Sequence, residues 1–262
     1  MIDICIPVCR NLTCLRMAAL GLQTFGGDCQ VLLHVQEPDE EALSVEAFQN
    51  LGIGAEVVSR ASKGSDIANY MDILFSNATS EWVVFMEQDT FLFQPLEGIV
   101  EEMRQKGYAA AGPMDTFFYD HPNARDSSKY GEYARLSPMP GYFHSSLVVV
   151  QRSAVPPNPF RVPDDFKFHG WGCLGAEPYY GLRLHFEGKN RKLMFFRQKH
   201  GAFGLAADIV LPSGRLLATH LYYSGTKDDY FNEGFLGQQE LDWLKNEETR
   251  FLRYYREGLK DA

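Results

Sequence analysis

Apolar residues fall in short runs and helical spacings that alternate along the first half of the chain. Ile2 to Val8 is alternating and β-branched, and predicts a first strand that ends at Pro7-Val8-Cys9-Arg10-Asn11. Leu12 to Phe25 carries Leu15, Ala18, Ala19 and Leu22 at helical spacing, and Gly26-Gly27 stops it. Gln30 to Val35 reads as a second buried strand, Glu40 to Gly52 as a second helix and Ala55 to Ser59 as a third strand. After the turn at Lys63-Gly64, with Ser65 or Asp66 as cap, a helix runs through Asn69, Met71, Ile73 and Leu74 to Ala78. Trp82 to Met86 is apolar without a break, so it reads as a strand buried on both faces. Pro95 to Lys106 is a helix with Pro95 in its first turn, and Tyr108 to Gly112 a further strand. Such alternation of strand and helix implies a parallel sheet with right-handed crossovers.

The pattern changes after Met114. Asp115 to Gly141 is long, polar and rich in Pro, Ser, Tyr and Asp. Loops of that length are usually functional, and a lid or acceptor loop is expected there. Gly141 to Gln151 restores an apolar strand around Leu147-Val-Val-Val150, and Pro156 to Pro159 is an extended connector. Phe168 to Glu177 is a glycine-rich turn, followed by a helix from Tyr179 to Phe186. Lys192 to Arg197 is a strand, Leu216 to Tyr223 is apolar around His220, and Gln238 to Leu259 is a helix. In this last helix Leu241, Leu244, Phe251, Leu252, Tyr255 and Leu259 lie near one face. With no repeat and no Ser/Gly linker, the expectation is one domain over residues 1–262. It divides into residues 1–114, 115–225 and a helical tail, 226–262.

Composition narrows the classes. A chain of 262 residues with 45% hydrophobic content can bury a sizeable core. The net charge is −9 with no basic block, which argues against nucleic acid as the main partner. The five cysteines, Cys5, Cys9, Cys14, Cys29 and Cys173, are odd in number and lack C-x-x-C spacing. Reduced thiols in a cytosolic protein are the simpler account. Met1-Ile2-Asp3 leads straight into strand-like sequence, and no apolar run approaches the roughly 20 residues that span a bilayer. The expected location is cytoplasmic, free or peripheral to a membrane.

The candidate chemistry starts where the strand Trp82 to Met86 stops. It ends at Glu87-Gln88-Asp89, two carboxylates around a single residue. Ligands of open α/β sheets bind at the carboxyl ends of strands. Carboxylate oxygens there suit a hard divalent cation, which substrate phosphates often complete. A solvated turn after a strand is the competing account.

These residues, in this order, resemble the GT-A type nucleotide-sugar glycosyltransferases, above all the family-2-like members. Ile4-Cys-Ile-Pro-Val8 is similar to the family's first strand, which ends in Pro and contacts the nucleotide, with Cys9 and Arg10 following. Gln36-Glu37 sits where the second strand delivers an acid toward the base. Lys63-Gly64-Ser-Asp-Ile-Ala-Asn69 resembles the Gly-x-x-x-Ala-x-Asn helix start. Glu81 to Asp89 resembles the strand that ends in the Asp-x-Asp metal motif, with Glu87 in place of its first acid. Gly170 to Glu177 and Arg183-Leu184 resemble the Trp-Gly-(x)-Glu-Asp segment and the helix after it. His220 stands where many members supply a late metal-binding histidine.

The resemblance implies an α/β, GT-A type fold with a mixed, mostly parallel sheet. The nucleotide-binding half is Rossmann-like and the second half binds the acceptor. It implies transfer of a sugar from a nucleoside-diphosphate sugar, UDP- or GDP-linked, to a glycan, lipid-linked or small hydroxyl acceptor, with inversion. It also implies a divalent metal, Mn²⁺ or Mg²⁺, on Asp89, Glu87 and His220. Pro7, Val8, Cys9, Arg10, Glu37, Lys63, Gly64, Asp66, Asn69, Glu87 and Gln88 then contact the nucleotide. Glu177 is the general base, and Trp171 with Gly172 meets the sugar or acceptor. Plainer accounts stay open for each: His220 as a core histidine, Trp171 as a core aromatic, Glu177 as a surface acid favoured by a helix start. Two other functions also stay open, a binding protein that has lost the chemistry and a sugar nucleotidyltransferase. Against the latter, Pro7 to Arg16 holds no glycine for a phosphate loop.

Overall fold

The computed structural model describes residues 1–8, 11–36, 40–60, 67–115, 142–160, 182, 186, 191–221, 227–232, 234 and 236–257. The expectations for Cys9, Arg10, Glu37, Lys63, Gly64, Asp66, Trp171, Gly172, Glu177 and the loop over 116–141 therefore lie outside the described residues.

The first half follows the alternation in the sequence. Strand β1 (Ile2–Val8) leads to helix α1 (Leu12–Phe25), whose start is fixed by Asn11. The Asn11 side chain accepts from the backbone N–H groups of Thr13 and Cys14 at 3.0 and 3.2 Å, satisfying donors that a helix start leaves open. Then come β2 (Cys29–Val35), α2 (Glu41–Gln49), β3 (Gly54–Arg60), α3 (Ile67–Asn77) and β4 (Trp82–Met86). A strand not anticipated from the sequence, β5 (Thr90–Leu92), follows after three residues. Helix α4 (Leu96–Lys106) starts one residue after Pro95, which is extended at ψ 129° and precedes the first turn instead of lying in it. Gly107 ends α4 at φ 68°, a left-handed backbone that glycine adopts without strain.

The remaining strands are β6 (Ala110–Asp115), β7 (Tyr142–Phe143), β8 (Leu147–Gln151), β9 (Leu193–His200), β10 (Ala206–Val210) and β11 (Leu216–Leu221). The apolar stretch Gly141 to Gln151, read from the sequence as one strand, is thus two strands split by a polar turn at residues 144–146. Helices α5 (Lys227–Asn232) and α6 (Gln238–Glu257) close the described chain. No helix among the described residues is long and apolar enough to cross a membrane. Cys5, Cys14 and Cys29 form no disulfide among the described residues.

The strand order is β3-β2-β1-β4-β8-β6-β9-β10-β11-β5, with β7 beside β6. The four strands β3, β2, β1 and β4 are parallel, as the crossover helices require. Beyond β4 the pairing is antiparallel apart from β6 with β9. Strand β4 is buried throughout: Trp82, Val84 and Met86 pack under α1 and α4, and Val83 and Phe85 under α3. A third cluster joins α1 to α6 through Met17, Phe91, Leu221, Leu244 and Phe251.

Asp3 ties the middle of the sheet to the start of β4. It is buried, and its carboxylate accepts from Thr79 N at 2.6 Å, Ser80 N at 2.7 Å and Ser80 Oγ at 2.9 Å. Charge-assisted bonds of this kind keep a buried acid from being a liability.

Strand order also explains where the site forms. β4 and β5 are separated in the chain by residues 87–89, yet in the sheet they stand six positions apart. The sheet must therefore curl until its last strand, β5, comes back to the carboxyl end of β4.

Candidate functional site

The turn that bridges this closure is Glu87-Gln88-Asp89. Its backbone is held from two sides. Glu87 N–H donates to the Ser146 carbonyl at 3.2 Å, and the Thr90 hydroxyl donates to the same carbonyl at 2.8 Å. On the other side Leu221 N–H donates to the Asp89 carbonyl at 3.0 Å. β11 pairs antiparallel with β5 so that His220 lies opposite Thr90. That register delivers the His220 ring to the carboxylates of the turn.

Nε2 of His220 lies 2.8 Å from Glu87 Oε2 and 3.1 Å from Asp89 Oδ1. His220 and Asp89 are buried, and the Glu87 side chain is 28% exposed, so the cluster opens to solvent through Glu87. Burial works against a charge on His220, but Asp89 and then Glu87 outweigh it and raise its pKa far above the ordinary histidine range. Burial likewise resists ionisation of Glu87, and is outweighed by His220, then by His144 and a hydrogen bond from Ser145; its pKa falls. Glu87 and His220 thus each favour the charged form of the other.

Two carboxylates and an imidazole are also a ligand set. One donor atom from each of Glu87, Asp89 and His220 lies within 4.8 Å of the others. A hard cation with ligands at about 2.0–2.6 Å can bridge such a separation. The residues therefore fit a divalent cation, with His220 Nε2 giving up its proton to bind.

Of the residues singled out in the sequence, the fold brings Glu87, Asp89 and His220 together. Gln88 is buried in the same turn. Pro7 and Val8 end β1 at the same edge: Cys5 pairs with Phe85, and Pro7 and Glu87 each lie two residues further on. Asn69 is exposed on α3 and joins no described cluster.

Two groups escaped sequence reasoning. His144 of the β7–β8 turn lies with its ring centroid 5.4 Å from that of His220. Its only signal in the sequence is the polar His144-Ser145-Ser146 break in an apolar run. His34, near the end of β2, stacks on Tyr70 at 4.2 Å and meets Ser59 Oγ through Nδ1 at 2.9 Å. Burial lowers its pKa to about 4, so it is a neutral ring.

Comparison with solved structures decides the fold. S. aureus TarS in complex with UDP matches with a TM-score of 0.52 and 11% identity, over 97% of this chain and 71% of that one. A second structure of S. aureus TarS, over its residues 1–349, matches with a TM-score of 0.52 and 12% identity, over 100% and 75%. The mannosyltransferase PcManGT from Pyrobaculum calidifontis, in complex with GDP-Man and Mn²⁺, matches with a TM-score of 0.50 and 12% identity, over 74% and 54%.

The chain has the GT-A fold. It spans about half the length of the mannosyltransferase. No protein-family model matches the sequence, and no curated protein does. In GT-A terms the parallel strands β3-β2-β1-β4 form the Rossmann-like part, and the Glu87-Gln88-Asp89 turn stands at its carboxyl edge.

Proposed function

We propose that this protein is a glycosyltransferase that moves a sugar from a nucleoside-diphosphate sugar to a hydroxyl acceptor, with Mn²⁺ or Mg²⁺ held by Asp89, Glu87 and His220. The observation that carries the reading is the convergence of those three side chains, from two distant parts of the chain, at the carboxyl edge of a GT-A sheet. Two GT-A neighbours support it, one holding GDP-Man and Mn²⁺ and the other UDP.

A bound cation would neutralise charge on the diphosphate as it leaves. The chain's own residues do the rest. Glu87 and Asp89 supply fixed negative charge at the mouth of the closure, and the buried His220 holds them in register. Pro7 and Val8 offer an edge for the nucleoside, joined on the resemblance by Cys9, Arg10, Glu37, Lys63, Gly64, Asp66, Asn69 and Gln88. Glu177 takes the proton from the acceptor hydroxyl in an inverting displacement, and Trp171 with Gly172 lies against the sugar. These last roles rest on the resemblance and on chemical sense: an attacking hydroxyl must lose its proton to a base within reach. The donor is a UDP- or GDP-sugar, and the acceptor a glycan, a lipid-linked sugar or a small alcohol.

Asp89→Asn tests the reading. Calorimetric titration with UDP and GDP, with and without Mn²⁺, is expected to show metal-dependent affinity in the parent. In the variant that affinity should fall more than about tenfold, as loss of a charged ligand implies, with the circular dichroism unchanged. Equal affinity in parent and variant removes the metal assignment.

A further inference from the structure

The tip between β9 and β10, residues 201–205, carries a phenylalanine where the chain has little reason to put one. Phe203 has φ 58° and ψ 2°, a left-handed backbone. Among the described residues only Asn158 shares a positive φ without being glycine, and asparagine tolerates it far better than an aromatic does. The Phe203 residue is also 55% exposed. Backbone strain and an apolar group in water both oppose folding here, and burial offsets little of either. Strain that persists without a folding return clusters at ligand-binding sites.

The Phe203 ring centroid lies 6.2 Å from that of Trp243 on α6, with the planes at 66°. Trp243 is half-buried against the third apolar cluster, so the corner between the two rings is anchored on one side. Gln239 and Asn246, both exposed, stand four residues before and three after Trp243, on its face of the helix. Two rings at an angle with neutral amides beside them suit a sugar. The C–H bonds of a pyranose point off its faces, toward the negative face of an aromatic ring, and the hydroxyls at its edge take amide hydrogen bonds. A membrane or a protein partner would need a broad apolar patch. Here the exposed large apolar side chains among the described residues are Met1, Leu43 and Phe203, at three separate places in the chain.

The corner lies at the rim that carries Glu87, Asp89 and His220. Gly201 N–H donates to the Ala206 carbonyl at 2.8 Å and closes the tip. Ala206 pairs with Leu221, and Leu221 N–H donates to the Asp89 carbonyl at 3.0 Å. Two strand spacings, about 10 Å, therefore separate Asp89 from the base of the tip, more than one sugar ring spans.

We infer that Phe203 and Trp243 form a distal acceptor subsite that stacks a sugar ring, so that the acceptor is a glycan chain and not a small alcohol. The inference rests on the reading of the protein as a glycosyltransferase and deepens it.

Phe203→Gly is the decisive variant, because glycine adopts φ 58° without strain. Saturation-transfer NMR titrations use tetrasaccharides of glucose, mannose, galactose and N-acetylglucosamine, in α and β linkage. At least one is expected to bind the parent. Phe203→Gly should bind it more than about tenfold more weakly, the loss typical of truncating an aromatic anchor. The Tm of the variant should be unchanged or raised, since relief of strain offsets the entropy that glycine adds to the unfolded chain. A parent that binds none of the tetrasaccharides overturns the subsite, as does a smaller loss in the variant. Weaker binding joined to a lower Tm also overturns it, because the ring would then serve only to pack Trp243. Titration of the parent with UDP and GDP in Mn²⁺ keeps the two readings apart. Nucleotide binding without glycan binding removes the subsite alone. Glycan binding without nucleotide binding overturns the transferase reading, and the acceptor role with it.

Discussion

At the scale of single residues, a proton and the proposed cation compete for the same atom. His220 Nε2 carries its proton because Asp89 and Glu87 raise its pKa to about 10, against the opposing effect of burial. A raised folded pKa stabilises the metal-free protein fully below the unfolded value of about 6.5, and that stabilisation is lost as pH rises through about 10. A metal needs the deprotonated nitrogen, so its affinity runs the other way and rises with pH. Thermal melting in EDTA is therefore expected to show stability falling from neutral to alkaline pH, while the shift produced by Mg²⁺ grows. Calorimetry at pH 7 in two buffers of different ionisation enthalpy should find about one proton released per cation. Release of none would mean that His220 is not a ligand. Glu177 belongs to the same scale. Glu177→Gln keeps size and hydrogen bonding but removes the proposed base, so single-turnover transfer is expected to fall by about 10²–10⁴-fold with donor affinity unchanged. Transfer within about threefold of the parent would take the base role away from Glu177.

At the scale of elements, α6 braces the strand that follows the Glu87-Gln88-Asp89 turn. The Tyr255 hydroxyl donates to the Leu92 carbonyl of β5 at 2.8 Å, and burial pushes the ionisation of this phenol well above the ordinary range, so it remains a donor. α1 makes room for it at Gly21, where an added Cβ would stand 2.9 Å from the Tyr255 oxygen. Helix propensity alone favours Ala over Gly by about 0.8–1.0 kcal/mol. Overpacking a close contact costs about 1–3 kcal/mol, so the contact wins. Gly21→Ala is expected to lower unfolding free energy by about 1 kcal/mol, read from urea melts. Tyr255→Phe should lose about 1 kcal/mol with its hydrogen bond. The double variant should lose less than the sum, because the hydroxyl that clashes is gone. Strict additivity would mean that α1 and α6 do not meet through this contact. The buried stripe of α6 also holds an acid: Glu248 accepts from the Cys14 thiol at 3.5 Å, in a place that helical spacing alone assigns to an apolar residue.

At the scale of the whole molecule, the curl of the sheet makes one site from the two ends of a long strand order. A ligand that bridges the turn at residues 87–89 and the end of β1 should therefore stabilise the fold as a unit. Binding only to the native state contributes RT ln(1 + [L]/Kd), or about 2.7 kcal/mol at a hundredfold excess over Kd. At about 2–4 °C per kcal/mol for a domain of this size, the matching donor with Mn²⁺ is expected to raise Tm by roughly 5–10 °C. A screen of UDP-, GDP-, dTDP- and CMP-sugars, each with and without Mn²⁺, reads this directly. Shifts that ignore the metal, or that treat all four bases alike, would argue against nucleotide binding at this edge.

Local pattern determined much of the chain. The runs Ile2–Val8 and Trp82–Met86 are apolar enough to be strands wherever they pack, and their alternation with α1 to α4 leaves few arrangements but a parallel sheet. The acids Glu87 and Asp89 were legible as candidates because they end a strand buried on both faces, although a solvated turn would give the same local pattern. Other features could not be read locally. β5 is three residues long, too short to show a period. The break at His144-Ser145-Ser146 looks like any polar turn until β8 sets it against Glu87. His220 in an apolar strand fits a core histidine as well as a ligand. Which of these it is depends on the pairing of β11 with β5, a contact between residues some 130 positions apart. Periodicity reports on neighbours within a turn or a strand. Only closure of the sheet brings the Nε2 of His220 to within 2.8 Å of Glu87 and 3.1 Å of Asp89, where charge and burial decide its chemistry.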